Sequence, residues 1–157
     1  MNDTLARIED EAEITRILYE YCVGIDSGRF DDTARLFAHG TWFLDPDTPR
    51  TGFEAVSAFL HDDVICYGDT PKTRHTMSNI RIDVADDRRT ARCRSYLVVF
   101  QAIPGRPPHI MFQGAYDDTF HRVDGTWFFD ERRIEADGTG DMSLHLRSAQ
   151  RVGDLDI

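Results

Sequence analysis

Apolar residues at Ile14, Ile17, Leu18, Tyr21, Cys22 and Ile25 recur at helical spacing and predict one long amphipathic helix from about Leu5 to Ile25. Gly24 and Gly28 bracket its end as a stop signal. A short helix is expected over "FDDTARLFA", with Leu36 and Phe37 inward. "TWFLD" then reads as a strand, "DPDTPRTG" as a turn and "FEAVSAFLHDDV" as a third helix. After Pro71 the period changes to two. "HTMSNIRIDVA" precedes the turn "DDRR", and "TARCRSYLVVFQAI" precedes the loop "PGRPP". "HIMFQGAYDDTFHRV" resumes the strands, Asp124-Gly125 is a hairpin signal, and "TWFFDERRIEA" is the returning strand.

Helices first and a meandering antiparallel sheet second define an α+β domain rather than a parallel βαβ fold. Three N-terminal helices packed on a strongly curved, mostly antiparallel sheet would leave an apolar cone, a natural ligand pocket. One stretch breaks the pattern. In "TRHTMSNIRIDV", Ile80, Ile82 and Val84 alternate with Arg81 and Asp83. An unbroken strand puts His75 on the other face, with Met77 and Asn79. His75 is then either a surface histidine near a loop or a general base facing a pocket. The end of the chain, "ADGTGDMSLHLRSAQRVGDLDI", raises a similar choice. Gly138 and Gly140 suggest a hinge, after which Met142, Leu144 and Leu146 alternate with Ser143 and His145. The apolar edge would close the cone, meet a neighbouring subunit or belong to a frayed tail.

The 157 residues point to a single domain, 1–157, with 136–157 as its C-terminal tail. With 41% hydrophobic residues the chain can build a core. A formal charge of −10, with no run of basic residues, opposes nucleic-acid binding. No apolar run approaches the ~18 residues of a membrane span. "MNDTLARIEDEAEITR" lacks the apolar core of a signal peptide. Cys22, Cys66 and Cys93 stand in no metal-like spacing and read as reduced, mostly buried thiols. A soluble cytoplasmic protein is expected. His39, His61, His109, His121 and His145 are scattered without metal-ligand pairing. No Gly-x-Gly-x-x-Gly, Walker loop or Gly-x-Ser-x-Gly elbow occurs, so chemistry without cofactor or metal is the expectation.

Asp26 follows Ile25 at the end of the long helix, where the macrodipole disfavours a carboxylate. It is either a turn residue of "DSGRFDD" or half of an acid/base pair with His75. An imidazole held by a carboxylate has a fixed tautomer and a stabilised cation, which suits it to remove a proton.

"YCVGIDSGRFDDTARLF", "TRHTMSN" and "GAYDDTFHRVDGTWFFDERRI" together resemble the SnoaL-like branch of the nuclear transport factor 2-like superfamily, from about Arg7 to Ile134. The arrangement is similar to the group of hexachlorocyclohexane dehydrochlorinase, scytalone dehydratase and bile acid 7α-dehydratase. The resemblance implies the cone fold and an Asp-His dyad at Asp26 and His75. It also implies a pocket arginine at Arg132 and a hydrogen-bonding tyrosine at Tyr21. By alternation Arg132 shares a face with Phe128 and Ile134. It would stabilise a leaving anion or enolate, or else pair with Asp117, Asp118 or Glu131 at the core edge. Arg133 competes with it if the strand is bulged, and Tyr21 is equally a member of the helical core stripe. "CRSYLVVF" supplies no second pocket histidine, which speaks against scytalone itself as substrate.

The implied function is a cofactor-independent lyase or isomerase, of dehydratase, dehydrohalogenase or double-bond isomerase type. Its substrate would be a hydrophobic small molecule such as a steroid, polycyclic or aromatic compound. The alternatives are a polyketide cyclase or a non-catalytic ligand-binding or structural subunit, like the small subunits of ring-hydroxylating dioxygenases. A cone plugged by Trp42, Phe43 and Phe112 would favour the structural subunit. The face carrying Arg92, Arg94, Tyr96, Val98 and Phe100 is expected to support a homodimer or homotrimer.

Overall fold

The computed structural model describes residues 3–153. Helices α1 (Asp3–Asp26) and α2 (Phe30–Arg35) precede the short strands β1 (Thr41–Phe43) and β2 (Pro49–Thr51), and α3 (Gly52–Asp63) follows them. Four long strands follow: β3 (Thr73–Val84), β4 (Thr90–Gln101), β5 (His109–Val123) and β6 (Thr126–Thr139). A 3-10 turn at Met142–Leu144 and helix α4 (Arg147–Gly153) end the described chain. All six strands join one unclosed sheet in the order β2-β1-β6-β5-β4-β3. Strands β3 to β6 form an antiparallel meander, and β1 joins it parallel to β6. The α+β architecture is as expected, with helices packed on a curved sheet around an apolar interior.

Bulges bend this sheet. Register shifts occur at Ser78/Arg81, Val99/Phe100, Gln113/Gly114 and Thr119/Phe120. Each leaves a residue unpaired and increases the local twist. The first resolves the irregular stretch around His75. Asn79 adopts φ 51, and two residues of β3 oppose one of β4 there. The extra residue inverts parity, so His75 and Met77 face inward together with Ile80, Ile82 and Val84. His75 is thus not opposite the isoleucines, as an unbroken strand requires. The bulge at Asp130 does the same in β6. Arg132 shares its inward face with Trp127, Phe129 and Ile134 rather than with Phe128.

Helix α1 buries Ala6, Ile14, Leu18, Tyr21, Cys22 and Ile25 against the sheet. Asp10 is also buried; it accepts from Arg88 Nε (2.5 Å) and Trp127 Nε1 (3.2 Å) and pairs with Arg122. These bonds clamp the helix to the β3–β4 turn and the β5–β6 hairpin. That hairpin turns at Asp124 and Gly125, both with positive φ, as its dipeptide predicts. Gly28 ends α1 at φ 71, and a Cβ there would collide with the Asp69 carbonyl oxygen. The helix terminus therefore lies against the segment that leads into β3.

Two segments differ from expectation. "DPDTPRTG" contains β2, because Pro49–Thr51 pairs with β1. Of the supposed hinge "DGTGD", Asp137–Thr139 continues β6 and the Gly140 N–H donates to the Met111 carbonyl, and the chain beyond packs on the body of the fold. Of the proposed tail, residues 154–157 lie outside the described residues. No helix among the described residues is long and apolar enough to cross a membrane.

Candidate active site

The end of α1 and the start of β3 meet where Gly28 allows close approach, and Asp26 and His75 meet with them. His75 Nδ1 lies 2.6 Å from Asp26 Oδ1, and the His75 backbone N–H donates to Asp26 Oδ2 at 2.8 Å. Thr73 Oγ1–H donates to Asp26 Oδ1 at 2.7 Å. The two ionisable side chains are only 5% (Asp26) and 7% (His75) exposed. Burial pushes the Asp26 carboxyl up. The bonds and charge of His75, with the Thr73 hydroxyl, outweigh that and hold it below its ordinary value. An ionised carboxylate only accepts, so Nδ1 carries a proton, and the neutral form of the ring is the tautomer with its lone pair on Nε2.

His75 lines a cavity of about 70 Å³ inside the cone. That is several times the roughly 10–15 Å³ needed to admit a single water molecule. Its walls are apolar: Ile25, Leu60, Leu97, Val99, Met111 and Ile134 contribute, with Trp42 and Phe112 among the aromatics. Phe43 lies elsewhere, beneath the Arg133 guanidinium. The polar groups of the wall are few: Tyr21, His75, Tyr116, His145 and the Trp42 indole, whose buried Nε1 has no partner. Among the described residues no cluster of His, Cys, Asp or Glu could hold a metal ion.

Tyr21 is a core residue that also reaches the cavity. It is 1% exposed, within the core, yet it lines the cavity, and its ring meets the His75 ring edge-on at 6.2 Å. Burial raises its hydroxyl above the ordinary value, opposed by the charge of Arg132, so it remains a proton donor. Arg132 sits one layer further in. It is fully buried and donates from Nε and Nη2 to the Asp118 carboxylate at 2.9 and 2.8 Å. Its guanidinium carbon stands 4.1 Å from the Tyr21 ring centroid and 3.7 Å from that of Tyr116. Of the acids weighed as partners, Asp118 takes it. The tyrosine layer separates it from the cavity, and Arg132 is not among the lining residues. Arg133 points outward and pairs with Glu131.

Two groups escaped the sequence reading. Thr73, two residues before His75, shares its side of the strand, and strand parity is the signal that pointed to it. His145, counted among the scattered histidines, is 7% exposed and lines the same cavity as His75. Alternation placed it opposite Met142 and Leu146. The 3-10 turn instead puts Met142, His145 and Leu146 on one inward side.

The SnoaL-like domain matches residues 6–133. The chain is similar to an uncharacterized protein of Mycobacterium tuberculosis (strain ATCC 25618 / H37Rv). Identity is 27% over 140 residues, covering 84% of this chain and 88% of that one. Among solved structures it is similar to a scytalone dehydratase-like protein from Novosphingobium aromaticivorans DSM 12444. That pair shows 26% identity and a TM-score of 0.71, covering 88% of this chain and 91% of the other. A hexachlorocyclohexane dehydrochlorinase from Novosphingobium barchaimii LL02 superposes with a TM-score of 0.72, at 15% identity and coverage of 87% and 92%. That last likeness is one of fold alone. With the match running through α1, the start of β3 and the meander, the chain belongs to the SnoaL-like family of the nuclear transport factor 2-like superfamily.

Proposed function

We propose that this protein is a cofactor-independent lyase or isomerase in which Asp26 and His75 act as a dyad on a hydrophobic small molecule. The observation that carries the reading is the 2.6 Å contact of His75 Nδ1 with Asp26 Oδ1 in the wall of an apolar cavity. Nε2 of His75 takes a proton from a carbon made acidic by a neighbouring carbonyl, and Asp26 stabilises the imidazolium that forms. Tyr21 donates a hydrogen bond to developing negative charge. Arg132 acts through that tyrosine, as a fixed positive charge behind the ring rather than as a direct contact. Elimination of water or halide and double-bond migration all begin with this step. Family neighbours named for dehydratase and dehydrochlorinase activity are in keeping with it. No Asp, Glu, Lys or Arg lines the cavity among the described residues, which favours neutral, apolar substrates.

Proton exchange tests this without a known substrate. A small neutral ketone such as cyclohexanone, incubated with protein in D₂O, is expected to exchange its α-protons by NMR faster than in buffer. His75→Ala should abolish the excess, and Asp26→Asn should reduce it by roughly 10²–10⁴-fold while the protein stays folded. Equal exchange by wild type and His75→Ala would overturn the reading. A non-catalytic subunit is the second reading, and the small free volume of the cone, about 70 Å³, is the observation in its favour. It predicts no exchange with any ketone that binds.

A further inference from the structure

His145 reaches the cavity on a segment that the fold holds firmly. Leu146 pairs with Val64, and the Ile65 N–H donates to the His145 carbonyl at 2.8 Å. Tyr67 Oη–H and Gln101 Nε2–H both donate to the Leu144 carbonyl, at 2.7 and 3.3 Å. On the far side Arg147 Nη1–H donates to the Asp62 and Val64 carbonyls, each at 3.0 Å. Ser148 bonds the Asp63 carboxylate through both its N–H and its hydroxyl. All these bonds engage the backbone of the segment or the residues flanking the histidine, and none engages the imidazole. The ring is 7% exposed, it lines the cavity, and Nδ1 is buried without a partner. A buried polar group left open in this way is costly unless something else meets it.

The two histidines of the cavity differ in one respect. His75 has a carboxylate, and His145 has none. Burial pushes the His145 imidazole down to about 4, His75 adds to this, and the charges of Asp26 and Asp63 oppose it. A protonated His145 would face the imidazolium that forms on His75, in a cavity whose other lining groups are neutral.

We propose that His145 is a second substrate-contacting residue of this site, a neutral imidazole that donates a hydrogen bond to the carbonyl oxygen of the ligand. This rests on the dyad reading for its chemistry but not for its binding. When His75 takes the proton from the α-carbon, the C–H electron pair moves into the new C=C bond and the carbonyl pair moves onto oxygen. The enolate oxygen is held by the His145 N–H, which keeps its proton. In an elimination the enolate pair returns to re-form the carbonyl and expels the β-substituent. A departing hydroxide takes the proton from His75 and leaves as water. In an isomerisation His75 returns the proton to the γ-carbon. No oxidant or co-reactant is needed, and His145 is neutral throughout. The ligand class follows: an apolar molecule with one carbonyl oxygen and an acidic C–H beside it.

The test compares cyclohexanone with methylenecyclohexane, which has the same shape without the oxygen. Wild type is expected to bind the ketone roughly 3- to 10-fold more tightly, the value of one hydrogen bond to a neutral acceptor, by ligand-observed NMR. His145→Phe, which fills the same space without a donor, should bind the two equally. His145→Gln, which keeps a donor, should retain part of the preference. Thermal melts of both variants verify folding. An undiminished ketone preference in folded His145→Phe or His145→Gln-like retention in both variants would overturn the assignment, as would equal binding by wild type. The dyad reading is judged separately, by loss of α-proton exchange in His75→Ala.

Discussion

The Arg132–Asp118 pair should fail asymmetrically when one partner is removed. Both side chains are fully buried and joined by two hydrogen bonds, and three aromatic rings face the guanidinium. Breaking such a pair typically costs about 3–5 kcal/mol, a large part of a domain's ~5–15 kcal/mol. Asp118→Asn leaves a guanidinium that does not give up its proton, so its penalty should not vary with pH. Arg132→Met leaves a carboxyl that can neutralise itself. In the intact protein burial already pushes Asp118 up, against the opposing charge and hydrogen bonds of Arg132. Without Arg132 the upward push is unopposed.

The sign follows from proton linkage. A carboxyl raised in the folded state binds more protons there than in the unfolded chain, so its stability contribution is present at low pH and lost as pH rises toward the folded value. Losing Arg132 lifts the folded value further above the unfolded one, so the penalty at pH 7 exceeds that at pH 5. Urea unfolding should therefore show Arg132→Met recovering stability relative to wild type between pH 7 and pH 5, by up to about 2.7 kcal/mol at 1.36 kcal/mol per pH unit. Asp118→Asn should show no such recovery. The double replacement Asp118→Leu with Arg132→Met should lie closer to wild type than either single variant. Parallel pH dependence of the two single variants would refute the argument that the carboxylate alone can escape its charge.

Linkage also acts through His145, whose imidazole is pushed down to about 4. The unfolded chain takes that proton below about 6.5 and the folded chain does not, so up to about 3 kcal/mol of stability should be lost as pH falls from 6.5 to 4. His145→Phe should flatten this part of the urea-midpoint profile, and an unchanged profile would contradict it. The outward face of β4, with Tyr96 and Phe100 exposed beside Arg92 and Arg94, should support a homodimer or homotrimer. Light scattering at micromolar concentration checks this: Tyr96→Glu with Phe100→Glu should lower the mass, and a monomeric wild type ends the proposal. Ending the chain after Asp137 removes Met142, His145 and Leu146 from the cavity wall. That protein should melt lower and bind cyclohexanone more weakly, and unchanged affinity would leave the segment without a role.

Much of the fold was legible because period and turn chemistry are local. The long helix shows a 3.6-residue stripe, and the Asp124-Gly125 hairpin announces itself in two residues. The bounds expected for β5 coincide with those observed, residues 109–123. Bulges were less legible, since an inserted residue has no strong signature. Yet their consequence was visible as a conflict. His75 and Met77 fell out of phase with Ile80 and Ile82, and a single extra residue at Asn79 restores the phase. The same holds in β6, where the inward position of Arg132 depends on the bulge at Asp130. Broken alternation in a strand of otherwise good pattern thus marks where a curved sheet changes direction.

The site divides along the same line. Asp26 and His75 were found through a motif spread over 49 residues, and their contact needs Gly28 to bring the helix end against the strand. Asp118 was one of three acids that spacing could not separate, because which of them meets Arg132 is decided by cross-strand register. His145 was hidden for a different reason. Its neighbours Met142, Leu144 and Leu146 read as a strand edge, and in that reading the histidine faces water. A 3-10 turn has about three residues per turn, so Met142, His145 and Leu146 come to one side and a polar residue is carried inward with two apolar ones. Period two and period three agree on few positions in a five-residue stretch, and here the choice between them was made outside it. Asp141 accepts from the Ser143 N–H and opens the turn, while Val64, Tyr67 and Gln101 hold its end. A chemically expressive residue near the end of a chain is therefore judged by what the body of the fold offers its backbone, which no local pattern records.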